Sequence, residues 1–415
     1  MTVEMKKYKL GDIAKIYDGP HATPKKIDQG PIYLGINAVT EDCRIDPNGL
    51  AFLSEEDYKV WTKRVTPQHK DIVFSYEATL GRYAIIPENF YGCLGRRLGI
   101  VRVVDAKVNY EWLFYYFQSP QWKSFIKNHT IKGSTVDRIS VEEMPNYEIP
   151  AIDINKQNRI ALVLSTLDKR IENLRAQNRV LEQTAKTIYD YTFLQCAGHQ
   201  TTYNKTLNRN IPTNWDVKKM EEVLLPIERG ISYSSEEIKS GKGMPMYNLA
   251  CFDKQGNYRS GELKFYSGEY KKSDLIKLGD MLIACTDLTR NADIIGTPVI
   301  VNDEYDSFVF TTDLAKITPK NEDMKYHIYF WLKNSSYRKY IKPFASGTNV
   351  LHLNVRGVLD YPILVPDSSV LKKFNAQVEP VFKKQLVNSK QIKALTTQRN
   401  TLLPLLMTGQ IEVVL

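Results

Sequence analysis

The sequence predicts an α+β chain of two similar domains, each a mixed sheet with helices, separated by a coiled coil of two long helices. Three observations predict it. The features of the first half recur in the same order about 215 residues later. Short apolar runs behind acidic turns read as buried strands. Each half then ends in a segment whose apolar residues step by three and four, the seam of a long helix that needs a partner helix to fill its holes.

In chain order, Asp71-Ile72-Val73-Phe74-Ser75 is answered by Asp280-Met281-Leu282-Ile283-Ala284, each a buried strand. Each strand enters a polar loop, Ala78-Thr79-Leu80-Gly81-Arg82 and Cys285-Thr286-Asp287-Leu288-Thr289-Arg290. The aromatic-rich blocks Trp112 to Ile126 and His327 to Ile341 read as an amphipathic helix packed on each sheet. Gly133-Ser134-Thr135-Val136 and Gly347-Thr348-Asn349-Val350 follow as small polar loops. The strands Tyr147-Glu148-Ile149-Pro150 and Tyr361-Pro362-Ile363-Leu364-Val365-Pro366 close the two halves.

The first heptad seam runs Ile160, Leu164, Leu167, Ile171, Leu174, Asn178, Leu181, Ala185 and Ile188. Asn178 is there either as a buried polar residue that sets register or as a point where the seam opens to water. The second runs Leu371, Phe374, Val378, Val381, Gln385, Asn388, Ile392, Leu395 and Leu402, and Pro380 is expected to kink it or to bound its first turns. Two helices packed separately on their own domains are the alternative. The expected boundaries are 1–152 for the first domain, 153–194 for the first long helix, 195–210 for a linker rich in Thr and Asn, 211–367 for the second domain and 368–415 for the second long helix.

The balance of 56 Lys and Arg against 47 Asp and Glu gives a net charge of +9, which favours a polyanionic partner such as nucleic acid. No apolar run reaches the roughly 20 residues that span a bilayer, and Met1–Leu10 has no signal-peptide core, so a cytoplasmic location is expected. Five scattered cysteines with no C-x-x-C pair read as free thiols. Gly241-Lys242-Gly243 lacks the rest of a phosphate loop, no G-x-G-x-x-G opens a helix, and no Asn-Pro-Pro string of an adenine methyltransferase is present. The histidines form no metal motif, and the acid pairs Glu142-Glu143 and Glu221-Glu222 read as solvated surface.

Asp18-Gly19-Pro20-His21-Ala22-Thr23-Pro24, Ala78 to Arg82, Ile211-Pro212-Thr213-Asn214-Trp215 and Leu402-Leu403-Pro404-Leu405-Leu406-Met407-Thr408-Gly409, taken in that order, resemble strings of type I restriction-modification specificity subunits. The resemblance covers essentially the whole chain. In the second half Gly230-Ile231-Ser232-Tyr233-Ser234 replaces the opening motif, and Arg290 stands where Gly81 would align. The resemblance implies two target recognition domains on a bipartite double-stranded DNA target, with the two helices as an antiparallel coiled-coil spacer. It also implies two modification subunits that methylate adenine N6 with S-adenosylmethionine and restriction subunits that use ATP and Mg. This chain would bind no cofactor or metal and catalyse nothing. The rival readings are a coiled-coil scaffold that reads no DNA and a diverged nuclease or methyltransferase.

Duplex binding needs Lys and Arg for phosphates and polar side chains for base edges, which favours loop positions. In the first domain these are His21, Thr23, Lys25, Lys26, Thr79, Arg82, Arg96, Arg97, Lys132, Ser134, Thr135 and Arg138. In the second they are Tyr233, Ser234, Lys242, Asn248, Lys271, Lys272, Thr286, Thr289, Arg290, Ser346, Thr348, Asn349 and His352.

Overall fold

The computed structural model describes residues 6–239, 241–252, 263–289, 291–303 and 305–414. They form two compact units, residues 1–170 with 396–415, and residues 171–395. No helix among the described residues is long and apolar enough to cross a membrane.

The first unit holds β1 (Lys7–Lys9), α1 (Leu10–Ile13), β2 (Ala14–Asp18), β3 (Ile27–Leu34), β4 (Ala51–Phe52), α2 (Glu55–Trp61), β5 (Ile72–Ser75), β6 (Tyr83–Ile85), β7 (Gly92–Leu94) and β8 (Leu98–Val103). It continues through α3 (Tyr110–Tyr116), α4 (Pro120–Asn128) and β9 (Glu148–Pro150) into α5 (Ile154–Tyr189). Its main sheet is antiparallel in the order β2-β8-β5-β6, and a smaller sheet, β4-β3-β7, includes the parallel pair β3 and β7.

Strand β5 is buried throughout because both its faces are covered. Ile72 and Phe74 pack with Trp112, Leu113 and Phe117 beneath α3, while Val73 turns to Leu34 and Leu94 of the smaller sheet. Gly99 sits opposite Phe74 on β8, and a Cβ there would lie 2.5 Å from the Phe74 ring, so glycine leaves the space that the ring fills. The aromatic block expected as one helix is two. Ser119 accepts from Trp122 N as an N-cap with Pro120 behind it, so a new helix starts where the first has ended. Trp122 then donates from Nε1 to the buried Tyr83 hydroxyl at 2.8 Å.

The second unit holds β10 (Thr201–Asn204), β11 (Arg209–Pro212), β12 (Asp216–Lys219), α6 (Met220–Val223), β13 (Glu228–Arg229), β14 (Met244–Tyr247), β15 (Lys264–Tyr266), β16 (Leu275–Lys277), β17 (Met281–Ala284), β18 (Thr286–Asp287), β19 (Pro298–Ile300), β20 (Ser307–Phe310) and β21 (Leu314–Ile317). After these come α7 (Lys325–Lys333), α8 (Ser335–Ile341), β22 (Ala345–Ser346), β23 (Leu351–Leu353), α9 (Arg356–Leu359), β24 (Pro362–Val365) and α10 (Ser368–Thr408). The order β13-β21-β17-β19 repeats that of the first unit strand for strand, and the parallel pair recurs as β14 with β20. Met281 and Ile283 face the helices while Leu282 and Ala284 face the other sheet, the same alternation as in β5. Residues 201–212, which begin in the segment read as a linker and run into the second domain, pair as the hairpin β10–β11.

The long helices α5 and α10 pair antiparallel in a coiled coil. In the first unit Ile160 and Leu164 of α5 share a core with Leu403 and Leu406 of α10. In the second, Ile171 and Leu174 meet Ile392 and Leu395, while Ala185 and Tyr189 share a core with Leu371, Phe374 and Val378. Leu167, Leu181, Ile188 and Leu402 are half-buried along the same stripe. Asn178 has a partner in the seam. Asn388 Nδ2 donates to its Oδ1 at 2.9 Å, and Gln385 Nε2 donates to its carbonyl at 3.2 Å.

Pro380 does not bound the second helix, since α10 is continuous from Ser368 through it. The proline and Ala376, whose carbonyl loses its bond, are both exposed, so water can satisfy that carbonyl.

Buried charge also enters the seam. Arg399 takes a heptad position, and its NH1 lies 2.8 Å from Asp168 Oδ1, while the Tyr115 hydroxyl donates to Asp168 Oδ2 at 2.7 Å. In the second unit Glu182 receives Lys333 Nζ at 2.8 Å and the Tyr329 hydroxyl at 3.2 Å. Burial alone would lower the Lys333 ammonium, but Tyr329 and Glu182 outweigh it and hold its pKa above the usual value.

Candidate nucleic-acid interface

In the first unit β8 runs antiparallel to β2 and β5, with Asp18 opposite Gly99 and Ser75 opposite Leu98. The last residues of β2 and β5 and the first of β8 therefore share one end of the sheet, and the chain leaving that end carries His21, Thr79, Arg82, Arg96 and Arg97. Residues 131–139 are laid against it. Arg138 bridges both Glu77 and Ile131, Ile139 N donates to Tyr76 O at 2.9 Å, and Ala78 N donates to Asp137 O at 3.1 Å. Long-range ladders thus join four sequence segments into one surface. Gly19 N donates to Leu98 O at 3.1 Å, and a Cβ on Gly19 would lie 2.2 Å from that oxygen, so only glycine fits the turn. Ala78 (φ 66°) and Arg97 (φ 73°) hold left-handed backbone at the same end, local strain of the kind that gathers at functional sites.

Most of the predicted cations here are engaged. His21 Nε2 lies 2.7 Å from Asp18 Oδ2, Arg97 Nε 2.9 Å from Glu77, and Lys132 Nζ 2.7 Å from Asp137. Arg82 donates to Val39 O at 3.2 Å and to Glu41 at 3.3 Å, and Lys26 sits 5.6 Å over the Tyr33 ring. Burial pushes the Tyr76 phenol above its usual pKa, and Asp18 beside it adds to the effect. Thr23, Lys25, Arg96, Ser134, Thr135 and Arg138 are exposed, and Thr79 is half-buried.

The second unit builds the same end from different side chains. Cys285 N donates to Asp313 O at 2.7 Å and Leu353 N to Cys285 O at 2.8 Å, just as Tyr76 N donates to Arg97 O and its own carbonyl receives Ile139 N. Thr286 pairs with His352, which also pairs with Ser346. Arg229 stands opposite Ala315, as Asp18 stands opposite Gly99. The ladders therefore equate Asp18 with Arg229, Tyr76 with Cys285, Glu77 with Thr286, Arg97 with Asp313 and Arg138 with His352. Charge is inverted at two of the five positions. Burial pushes the Cys285 thiol up to about 11 against the pull of the Arg229 guanidinium.

Asp287, buried, accepts from Thr289 N and Ile294 N at 2.7 Å each and fixes the loop after β18. The guanidinium of Arg338 anchors the far side of that loop on Ile295 O at 2.7 Å. Ser346, Thr348, Asn349 and His352 are exposed at this end. Tyr233 receives Lys264 Nζ at 3.1 Å, and Ser234 is tied to Glu237. Lys242 and Lys272 are exposed, and Lys271 N caps on Asp274 Oδ2 at 2.7 Å. Thr286 is buried. So is Asn248, whose side chain accepts from Ala250 N at 2.9 Å as a local cap. Arg290 lies outside the described residues.

Asp18, Tyr76, Glu77, Arg229 and Asp313 were absent from the sequence-based set. They reach this surface through strand pairing across the chain, which leaves no local signal, although the internal repeat could have flagged them as aligned positions that differ. Among the described residues no three His, Cys, Asp or Glu side chains are grouped to hold a metal, and all five cysteines are free thiols.

A sequence model of the family described as type I restriction modification DNA specificity domain matches residues 2–183. The chain is 25% identical to the type I restriction enzyme MjaIX specificity subunit of Methanocaldococcus jannaschii, across 99% of this chain and 90% of that one. It is 22% identical to the MjaVIII specificity subunit of the same organism, across 72% and 70%. The crystal structure of the type I restriction-modification S subunit from M. genitalium shares the fold, with a TM-score of 0.54 at 16% identity over 98% of this chain and 97% of that one. The relative that is alike over its whole length, the family match on the first repeat and the duplicated sheet with its paired helices agree: the chain is similar to the specificity subunits of type I restriction-modification enzymes.

Proposed function

We propose that the chain reads a bipartite duplex target, with residues 1–152 on one half-site and 211–367 on the other. The observation that carries this reading is the pair of equivalent sheet ends with unlike side chains, above all Arg138 against His352. One scaffold decorated two ways suits the reading of two different short sequences. Arg on a guanine edge is a strong direct contact, whereas histidine offers a different donor and acceptor pattern.

The helices 153–194 and 368–415 act as the spacer. Segment α5 has 36 residues and α10 has 41, about 54 and 62 Å at 1.5 Å per residue, enough to separate half-sites by a DNA turn of about 34 Å. Two modification subunits dock on these helices and methylate adenine N6 with S-adenosylmethionine, and restriction subunits add ATP- and Mg-dependent cleavage. The address resides in this chain and the chemistry in its partners.

The test uses the chain reconstituted with its modification subunit. Arg138→Ala is expected to change or relax the bases required in one half of the methylated sequence and to leave the other half intact. His352→Ala should do the reverse. If both variants alter the same half, or neither alters any base, the assignment of one half-site to each domain fails.

A further inference from the structure

The chain's net positive charge does not come from its two recognition segments. Residues 1–153 contain twenty Lys and Arg and twenty Asp and Glu, and residues 190–367 contain twenty-two of each, so both recognition segments are neutral. Helix α5 has seven basic and three acidic residues and α10 has seven and one, which places a net +10 on the two helices of a chain whose total is +9.

The acids on these helices are all committed. Asp168 is held by Arg399, Glu182 by Lys333, Glu172 by Arg175 and Glu379 by Lys383. Many of the bases are not. Lys169, Arg170 and Arg179 on α5 are exposed, with no ion pair or side-chain hydrogen bond among the described residues. Lys372, Lys373, Lys384 and Lys390 on α10 are in the same state. Like charges at this density repel one another, so their concentration on the helices calls for an anionic partner.

We propose that the two long helices, rather than the base-reading domains, supply the sequence-independent hold on the DNA phosphates. This deepens the assignment above and rests on it. Neutral domains can discriminate bases by hydrogen bonding, but the salt-dependent part of duplex affinity comes from Lys and Arg that displace counterions, and here the surplus sits on the helices. The partner chosen is a polyanion, because the seven bases are spread along the helices and outnumber the exposed apolar residues Leu162, Val180 and Val387, as suits a diffuse phosphate field.

The test measures binding of the complex with its modification subunit to a labelled duplex of random sequence, as a function of salt. The helix variant Lys372→Gln/Lys373→Gln/Lys384→Gln/Lys390→Gln is compared with a domain variant that removes the same charge, Lys59→Gln/Lys127→Gln/Lys218→Gln/Lys239→Gln. Each lost phosphate contact lowers the slope of log affinity against log salt by about 0.9, so the helix variant is expected to lose about 2 to 4 units of slope and the domain variant less than about 1. Its methylated target sequence should stay the same. Equal losses in the two variants, or an unchanged slope in the helix variant, overturn the proposal. A helix variant that keeps its slope and no longer co-purifies with the modification subunit overturns it in favour of an acidic protein partner. Loss of sequence-selective methylation by the unaltered complex would instead strike the bipartite assignment, so the two failures are distinguishable.

Discussion

The buried ion pair in the helix seam gives a sharp energetic prediction. Arg399 NH1 lies 2.8 Å from Asp168 Oδ1, with the arginine side chain 10% and the aspartate 27% exposed. At that separation and an effective dielectric of about 20, the attraction is about 6 kcal/mol, which the desolvation of two charges largely offsets. The net value of the pair is therefore small, but the cost of breaking it is not. Removing one member of such a pair strands a charge at about 3 to 5 kcal/mol. Here water reaches the aspartate and Tyr115 still donates to it at 2.7 Å, so Arg399→Leu should cost about 2 to 4 kcal/mol. Asp168→Leu should cost about as much, since the less exposed arginine keeps the neutral Asn400 Oδ1 at 3.0 Å but loses its counter-charge, and the Tyr115 hydroxyl is left unpaired. The double variant Asp168→Leu/Arg399→Leu should return to within about 1 kcal/mol of the parent, a coupling of about 2 kcal/mol or more. Hydrogen exchange of peptides spanning 110–117 and 160–170 reads this opening locally, which a global melt of a chain with two units does not. A coupling below about 0.5 kcal/mol, or an Arg399→Leu protein as protected as the parent, would refute the reasoning.

His327 is buried against Leu364 O at 2.8 Å, and burial pulls its pKa down to about 4 from 6.5. The unfolded chain takes up that proton first, so the stabilisation present above pH 6.5 is lost as pH falls toward 4. The loss is about 3 kcal/mol and should be absent from the difference between pH 7 and 4.5 urea titrations of His327→Gln. Trp122→Phe strands the buried Tyr83 hydroxyl and should cost about 1 to 3 kcal/mol in denaturant titration, with part of it recovered by adding Tyr83→Phe. Asn388→Leu leaves the Asn178 carboxamide without its seam partner and should lower the melting temperature, whereas adding Asn178→Leu should restore it.

The parts of the fold legible in the sequence are those written in local periodicity. The steps of three and four from Ile160 and from Leu371 located both long helices, and the apolar runs at Ile72 and Met281 located the central strands. Rules applied one residue at a time did less well. Pro380 reads as a kink or a bound on the first turns, but the helix runs on through it where the freed carbonyl faces water. Trp112 to Ile126 reads as one helix because its aromatic spacing hides a Ser119-Pro120 start signal. Arg399 falls on the heptad between Leu395 and Leu402, but its role there is not legible locally because its partner Asp168 is 231 residues away. The loops of the candidate interface were visible as polar segments. Their convergence was not, since Asp18, Glu77, Arg97 and Arg138 meet only through ladders that no single segment encodes.

The proposed division of labour has two differently decorated domains choosing bases and the paired helices setting the gap between half-sites. Mapping methylated adenines in DNA from cells that express this chain with its modification subunit puts it to the test. The expected result is one target with two short specified blocks separated by a fixed run of unspecified bases, and lengthening both helices by one heptad should change the length of that run and leave the blocks unchanged. A single contiguous motif, or a gap that ignores the helix length, would contradict it.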